Sequence, residues 1–95
     1  MKIQKEAMCG TLESNDLLVK VAPRLELTVV ISSEVMRQFG ARIREVVEET
    51  LRRMGVTQGQ VVIEDKGALD CTIRARVQAA VLRGCECEEL NWRSL

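Results

Sequence analysis

Between Val35 and Met54 the apolar residues Val35, Met36, Phe39, Ile43, Val46, Val47, Leu51 and Met54 recur at three- and four-residue intervals. That spacing gathers them on one side of a helix and leaves charged residues on the other. A helix with a single apolar stripe cannot bury it alone, so the rest of the chain has to supply an apolar surface opposite. The ends of the helix are marked as well. Ser33 is placed to accept a hydrogen bond from the first turn, Glu34 suits the positive end of the dipole, and Arg52 and Arg53 suit the negative end. Gly55 follows as a left-handed C′ residue. On the outer face Glu48/Arg52 and Glu49/Arg53 stand four residues apart and read as solvated ion pairs.

The opposing surface comes from short runs with strand character. Ala7 to Leu12 and Leu17 to Ala22 are two of them; in a third, Leu25 to Ile31, the residues Leu25, Leu27, Val29 and Ile31 alternate with Glu26, Thr28 and Val30. The single proline, Pro23, separates the second run from the third and marks a break or an edge, because it cannot donate to a strand ladder. The first two runs are expected to pair as a hairpin around Glu13-Ser14-Asn15-Asp16, where Asn and Asp tolerate left-handed backbone angles. Gln60 to Asp65 reads as a fourth strand, closed by Lys66-Gly67.

Residues 70–77 admit two readings. Cys71 to Val77 alternates as a strand would, whereas Leu69, Ile73, Val77, Ala80 and Val81 fit one face of a helix. Continuation of the pattern to Leu82, with Gly84 to end it, favours the helix. The expected order is β-β-β-α-β-α: an α+β fold in which two helices cover one face of a small sheet bearing the hairpin. At 95 residues the chain is expected to form one domain, 1–95, with residues 85–95 as an irregular tail whose Leu90 and Trp92 can dock on a partner or on the domain itself.

Composition removes several function classes. With no His there is no imidazole to activate a serine nucleophile, so self-catalysed acyl transfer is not expected. Tyr is absent too, and one Trp and one Phe give little surface for base stacking. A formal net charge of +0, from 14 basic and 14 acidic residues, lacks the footprint of a phosphate-backbone binder, and no nucleic-acid partner is expected. No run approaches the ~20 apolar residues of a membrane span, and Lys2 and Lys5 are not followed by a signal-peptide core. The expected location is cytoplasmic, with no membrane association. Of Cys9, Cys71, Cys85 and Cys87, only the last two are close, and the set lacks zinc-site spacing. No metal is expected, and the cysteines read as free thiols.

The hairpin tip holds one serine, Ser14, where a side chain can be presented to other proteins without disturbing a core. It reads as a point of covalent attachment, although composition alone favours a plain polar turn, since such residues dominate turns. Resemblance alters that balance. The segments Ala7-Met8-Cys9-Gly10-Thr11-Leu12-Glu13-Ser14-Asn15-Asp16, Val21-Ala22-Pro23, Gln38-Phe39-Gly40, Asp65-Lys66-Gly67-Ala68-Leu69-Asp70-Cys71 and Arg74-Ala75-Arg76 occur in that order. Together they resemble the acyl carrier (gamma) subunit of citrate lyase, from about Ile3 to about Leu82. Two departures from that pattern are Asn15, where glycine is common, and a segment between Pro23 and Ser33 shorter than in some relatives.

The resemblance implies that Ser14 carries, through a phosphodiester, a 2′-(5″-phosphoribosyl)-3′-dephospho-CoA group whose thiol is acylated. It implies a non-catalytic carrier serving the alpha (acyl transferase) and beta (citryl lyase) subunits during cleavage of citrate to oxaloacetate and acetate. A separate prosthetic-group transferase would load it. Glu13 and Asp16 flank Ser14 and read as recognition residues for that transferase, or as plain turn polarity. Arg74 and Arg76 are candidates to pair with the arm's phosphates if the last helix lies near the hairpin. The alternatives are a carrier of the same group in malonate decarboxylase and a non-enzymatic interaction module.

Overall fold

A computed structural model describes residues 1–33 and 36–85, with residues 36–39 described as backbone only. The element order is β1 (Ala7–Gly10), β2 (Leu17–Ala22), β3 (Leu27–Ser33), α1 (Met36–Met54), β4 (Gly59–Asp65) and α2 (Asp70–Gly84). This is the β-β-β-α-β-α order that the periodicities predict, and residues 70–77 are helical. Glu34, Val35 and the tail from residue 86, with Cys87, Leu90 and Trp92, lie outside the described residues, as do the side chains of Met36 and Phe39.

The four strands form one sheet in the order β1-β2-β4-β3. β1 pairs with β2 as the expected antiparallel hairpin, and β2 pairs antiparallel with β4. β3 and β4 are parallel, because the chain passes through α1 between them and returns in the same direction. Both helices lie on one face. Leu17, Val19 and Val21 of β2 and Val61 and Ile63 of β4 point into the core. Ile43, Val46, Val47 and Leu51 of α1 meet them, with Ile73, Val77, Ala80 and Val81 of α2. Ile3, which belongs to none of the predicted strands, is also buried, and its N–H donates to the Gln58 carbonyl.

The helix ends follow the local chemistry in part. Gly55 takes φ of 72°, its N–H donates to the Arg52 carbonyl and Val56 N–H to that of Leu51, which is a Schellman ending. The first turn that Ser33 was expected to cap begins at residues outside the described ones. Ser33 stays in β3, opposite Asp65, and its hydroxyl donates to Asp65 Oδ2 at 2.8 Å. β3 accordingly lies two residues later than the predicted Leu25 to Ile31: Val29 and Ile31 pack on the core, while Leu25 is 89% exposed ahead of the strand. On α1, Arg53 pairs with Glu49 at 2.7 Å as expected, but Glu48 takes Arg44 at 3.3 Å rather than Arg52.

β1 is an edge strand, and Arg83 of α2 covers part of that edge by donating to the Met8 carbonyl at 2.7 Å. It stops at Gly10, two residues short of the predicted end, because the chain there turns sharply. Gly10 has φ of 103°, and a Cβ on it would stand 1.9 Å from the Leu17 carbonyl oxygen. Gly55 has a positive φ but open space around it. Urea denaturation is therefore expected to separate the two sites. Gly55→Ala should lose about 1–2 kcal/mol, the backbone cost alone, and Gly10→Ala on the order of 3 kcal/mol or more, since backbone strain and overpacking add.

Candidate functional site

Ser14 lies at the tip of the β1–β2 turn and is exposed. The turn closes with the Asp16 N–H donating to the Glu13 carbonyl at 3.2 Å, which makes Ser14 and Asn15 its central pair. Asn15 has φ of 65°, the left-handed angle that the third position of a type II turn needs. No hydrogen bond to another described residue engages the Ser14 hydroxyl.

The backbone around that hydroxyl is held from several directions. Thr11 Oγ1 donates to Asp16 Oδ2 at 2.8 Å and accepts from the Glu13 N–H at 3.2 Å. Asp16 Oδ1 accepts from the Leu17 N–H at 2.8 Å. Across the sheet, the Asn15 N–H donates to the Lys66 carbonyl at 2.8 Å, and the Lys66 N–H donates to the Asp16 carbonyl at 2.9 Å. Two further bonds reach from α2, with Arg76 Nε donating to Asp16 Oδ1 at 3.1 Å and Nη2 to Oδ2 at 3.0 Å. This is a two-point guanidinium–carboxylate pair, which fixes orientation as well as distance. Arg76, then Thr11, holds the Asp16 carboxyl below its ordinary value, and Arg76 is pushed above its own, first by Asp16 and then by Cys9.

The loop that holds the turn is itself held by a carboxylate. Asp65, buried at the end of β4, accepts from Ser33, from the Gly67 N–H at 3.1 Å and from the Ala68 N–H at 3.0 Å. Lys66 and Gly67 are thus fixed where they meet Asn15 and Asp16. Of the residues singled out from sequence, Ser14, Asp16 and Arg76 come together. Glu13 is exposed beside them. Arg74 is exposed on α2, and two residues along a helix turn it about 200° away from Arg76, so the two arginines cannot face one point. Sequence reasoning gave Thr11 no role and Lys66-Gly67 only the role of a turn. The signal was available for Thr11, whose hydroxyl stands five residues before an aspartate across a tight bend, whereas the Lys66 contacts depend on strand register.

Comparison with known proteins follows from this geometry. An acyl carrier (ACP) family model described as malonate decarboxylase delta subunit (MdcD) matches residues 4–84. The citrate lyase acyl carrier protein of Albidiferax ferrireducens is 62% identical over 100% of this chain and 99% of its own. That of Pectobacterium carotovorum subsp. carotovorum is 59% identical over 100% of both chains. The chain belongs to the citrate lyase acyl carrier protein family. A Thermus thermophilus protein of known crystal structure matches 90% of this chain and 16% of its own at 11% identity, with a TM-score of 0.58, a likeness of fold alone.

As a family member the chain is a carrier rather than a catalyst. The left-handed angle at position 15 is accommodated because Asn adopts it at small cost. Among the described residues no group of three metal-ligating side chains forms, and no helix is long and apolar enough to cross a membrane. Cys9 is a buried free thiol and Cys71 an exposed one, and Cys85 is buried.

The Asp16–Arg76 pair has a pH signature. A carboxyl held below its ordinary 3.8 adds stability that is fully present above that value and is lost as the pH falls through the lowered one. Denaturation of the native chain and Arg76→Gln should show the variant weaker at neutral pH, with the gap closing as the pH drops below 3.8. A gap of constant size into strong acid would show that Asp16 is not held by Arg76.

Proposed function

We propose that this chain is the acyl carrier subunit of citrate lyase and that Ser14 is its attachment residue. The hydroxyl would be esterified through a phosphodiester to 2′-(5″-phosphoribosyl)-3′-dephospho-CoA. One observation carries the assignment: a single exposed hydroxyl without a hydrogen bond to the described residues, on a turn braced through Lys66 and Asp16. The names of the relatives supply the substrate class. The surroundings suit a bulky group, since the turn projects from the sheet and both Glu13 and Asn15 are exposed.

When bound, such an arm supplies a thiol whose thioesters carry acetyl and citryl groups. The chain's own residues attach and orient it. Thr11, Asp16 and Arg76 keep the turn from collapsing onto the sheet when a large anionic group is added. Because Arg76 offsets Asp16, phosphates near the turn meet one uncompensated carboxylate, Glu13, instead of two, and salt weakens that repulsion further. Arg74 remains as an exposed cation on α2. With no histidine in the chain, the prosthetic-group transferase would activate Ser14 and supply the base or metal.

A carrier of this kind meets the alpha and beta subunits of citrate lyase in turn, in the cytoplasm, and tethering keeps each intermediate at millimolar effective concentration. The malonate decarboxylase reading has one observation in its favour, the description of the matching family model. The subunits that co-purify with the native chain separate the two.

Intact mass tests the attachment. Protein from cells containing the modifying enzymes is expected to be heavier by one arm, and Ser14→Ala to lose the whole increment while keeping its urea midpoint. An active native complex with an unmodified Ser14 would sink the assignment, and a phosphate-sized increment would favour the interaction module.

A further inference from the structure

The loop between β4 and α2 has two sides. One meets the turn: Lys66 bonds Asn15 and Asp16, and a Cβ on Gly67 would lie 3.7 Å from Asn15 Oδ1. The other walls a cleft of about 570 Å³ between the start of α2 and the side of α1. Ile43, Ala68, Leu69 and Ile73 give it an apolar lining, with Arg42, Asp70 and Asp65 as its charged groups. Leu69 is 71% exposed there, next to isoleucines that are 4% and 1% exposed. Gly67 therefore borders both the residue beside Ser14 and an apolar hollow that the described residues leave open.

We propose that this cleft receives the acetyl-thioester end of the arm carried on Ser14 and does not retain the citryl form. The inference rests on the reading of Ser14 given above. The occupant follows from continuity, because a group tethered at Ser14 starts one residue from Asn15, which packs on the loop that forms the cleft wall. Tethering holds the free end at millimolar effective concentration, so even the weak affinity of a small apolar contact populates the bound state.

Charge decides between the two acyl groups. Among the described lining residues Arg42 is the one cation, and it is engaged by Asp70 at 2.7 Å and by Glu45 at 3.2 Å. The Asp65 carboxylate is held by Ser33 and the Gly67 and Ala68 N–H groups. An uncharged acetyl end meets the apolar lining without electrostatic cost. A citryl end brings two free carboxylates to a lining with two aspartates and an arginine already paired, and is repelled. The carrier would thus shelter its resting acetyl form and release the citryl form for cleavage.

Methyl NMR of the full chain, with arm loading checked by intact mass, tests this. Methyl signals of Ile43, Leu69 and Ile73 should shift between the unmodified and the acetyl-loaded carrier, while those of Val30 and Val62 on the open sheet face stay in place. The shifts should vanish in Leu69→Asp, an exposed site whose change leaves the fold intact, persist in Leu25→Asp, and shrink several-fold in the citryl-loaded carrier. Hydroxylamine should cleave the acetyl group several-fold more slowly than it cleaves acetyl-CoA, and Leu69→Asp should remove that protection. An arm confirmed on Ser14 with unmoved cleft methyls, or with cleavage as fast as acetyl-CoA, overturns the cleft and leaves the attachment standing. Equal shifts for both acyl groups overturn the discrimination. A chain with no arm on Ser14 overturns both readings.

Discussion

The register of β2 on β4 is the constraint on which the rest depends. From Leu17 opposite Asp65 to Ala22 opposite Gln60 the two central strands pair residue for residue, and Leu17, Val19 and Val21 share the buried face with Val61 and Ile63. A slip of one residue would turn Leu17, Val19 and Val21 away from the helices, so burial of that face fixes the pairing. The same register sets the hairpin turn just beyond the end of β4. Asn15 and Asp16 meet Lys66 there because Leu17 meets Asp65.

On that frame, two carboxylates divide the work at one end of the molecule. Asp65 is buried, and it stays satisfied by gathering a hydroxyl and two backbone N–H groups, as a group removed from water must. It shapes the loop that leads into α2. Asp16 is nearer the surface and ties the turn to α2 through Arg76. Each interaction would be weak if isolated in solvent, but together they join the turn, β4 and α2 into one braced unit. The precision is appropriate to a carrier, whose side chains perform no chemistry and must present one hydroxyl in a constant place.

Legibility from sequence followed the range of the interactions. The α1 stripe, the Gly55 ending and the β1–β2 hairpin depend on residues a few positions apart, and all were readable. The Ser33 hydroxyl has a partner that no short window shows, an aspartate on a strand that begins 26 positions later in the chain. Leu25 fitted the alternation of β3 by composition, but the parallel pairing with β4 starts at Leu27 and leaves it in solvent. At the site, Ser14 and its neighbours stood out as a polar turn. Arg76 was a candidate for the arm's phosphates, and its partnership with Asp16, 60 residues away, has no local signature.

The sequence by itself determined the kind of elements, their order and the presence of a lone serine in a turn with no histidine to activate it, since periodicity, turn chemistry and composition are local properties. Only the tertiary structure decided that the loop after β4 and the arginine of α2 converge on that turn, and that the same loop opens on its far side into an apolar cleft. Those arrangements depend on long-range strand register and on how two helices cover one sheet face, which no short window of residues encodes.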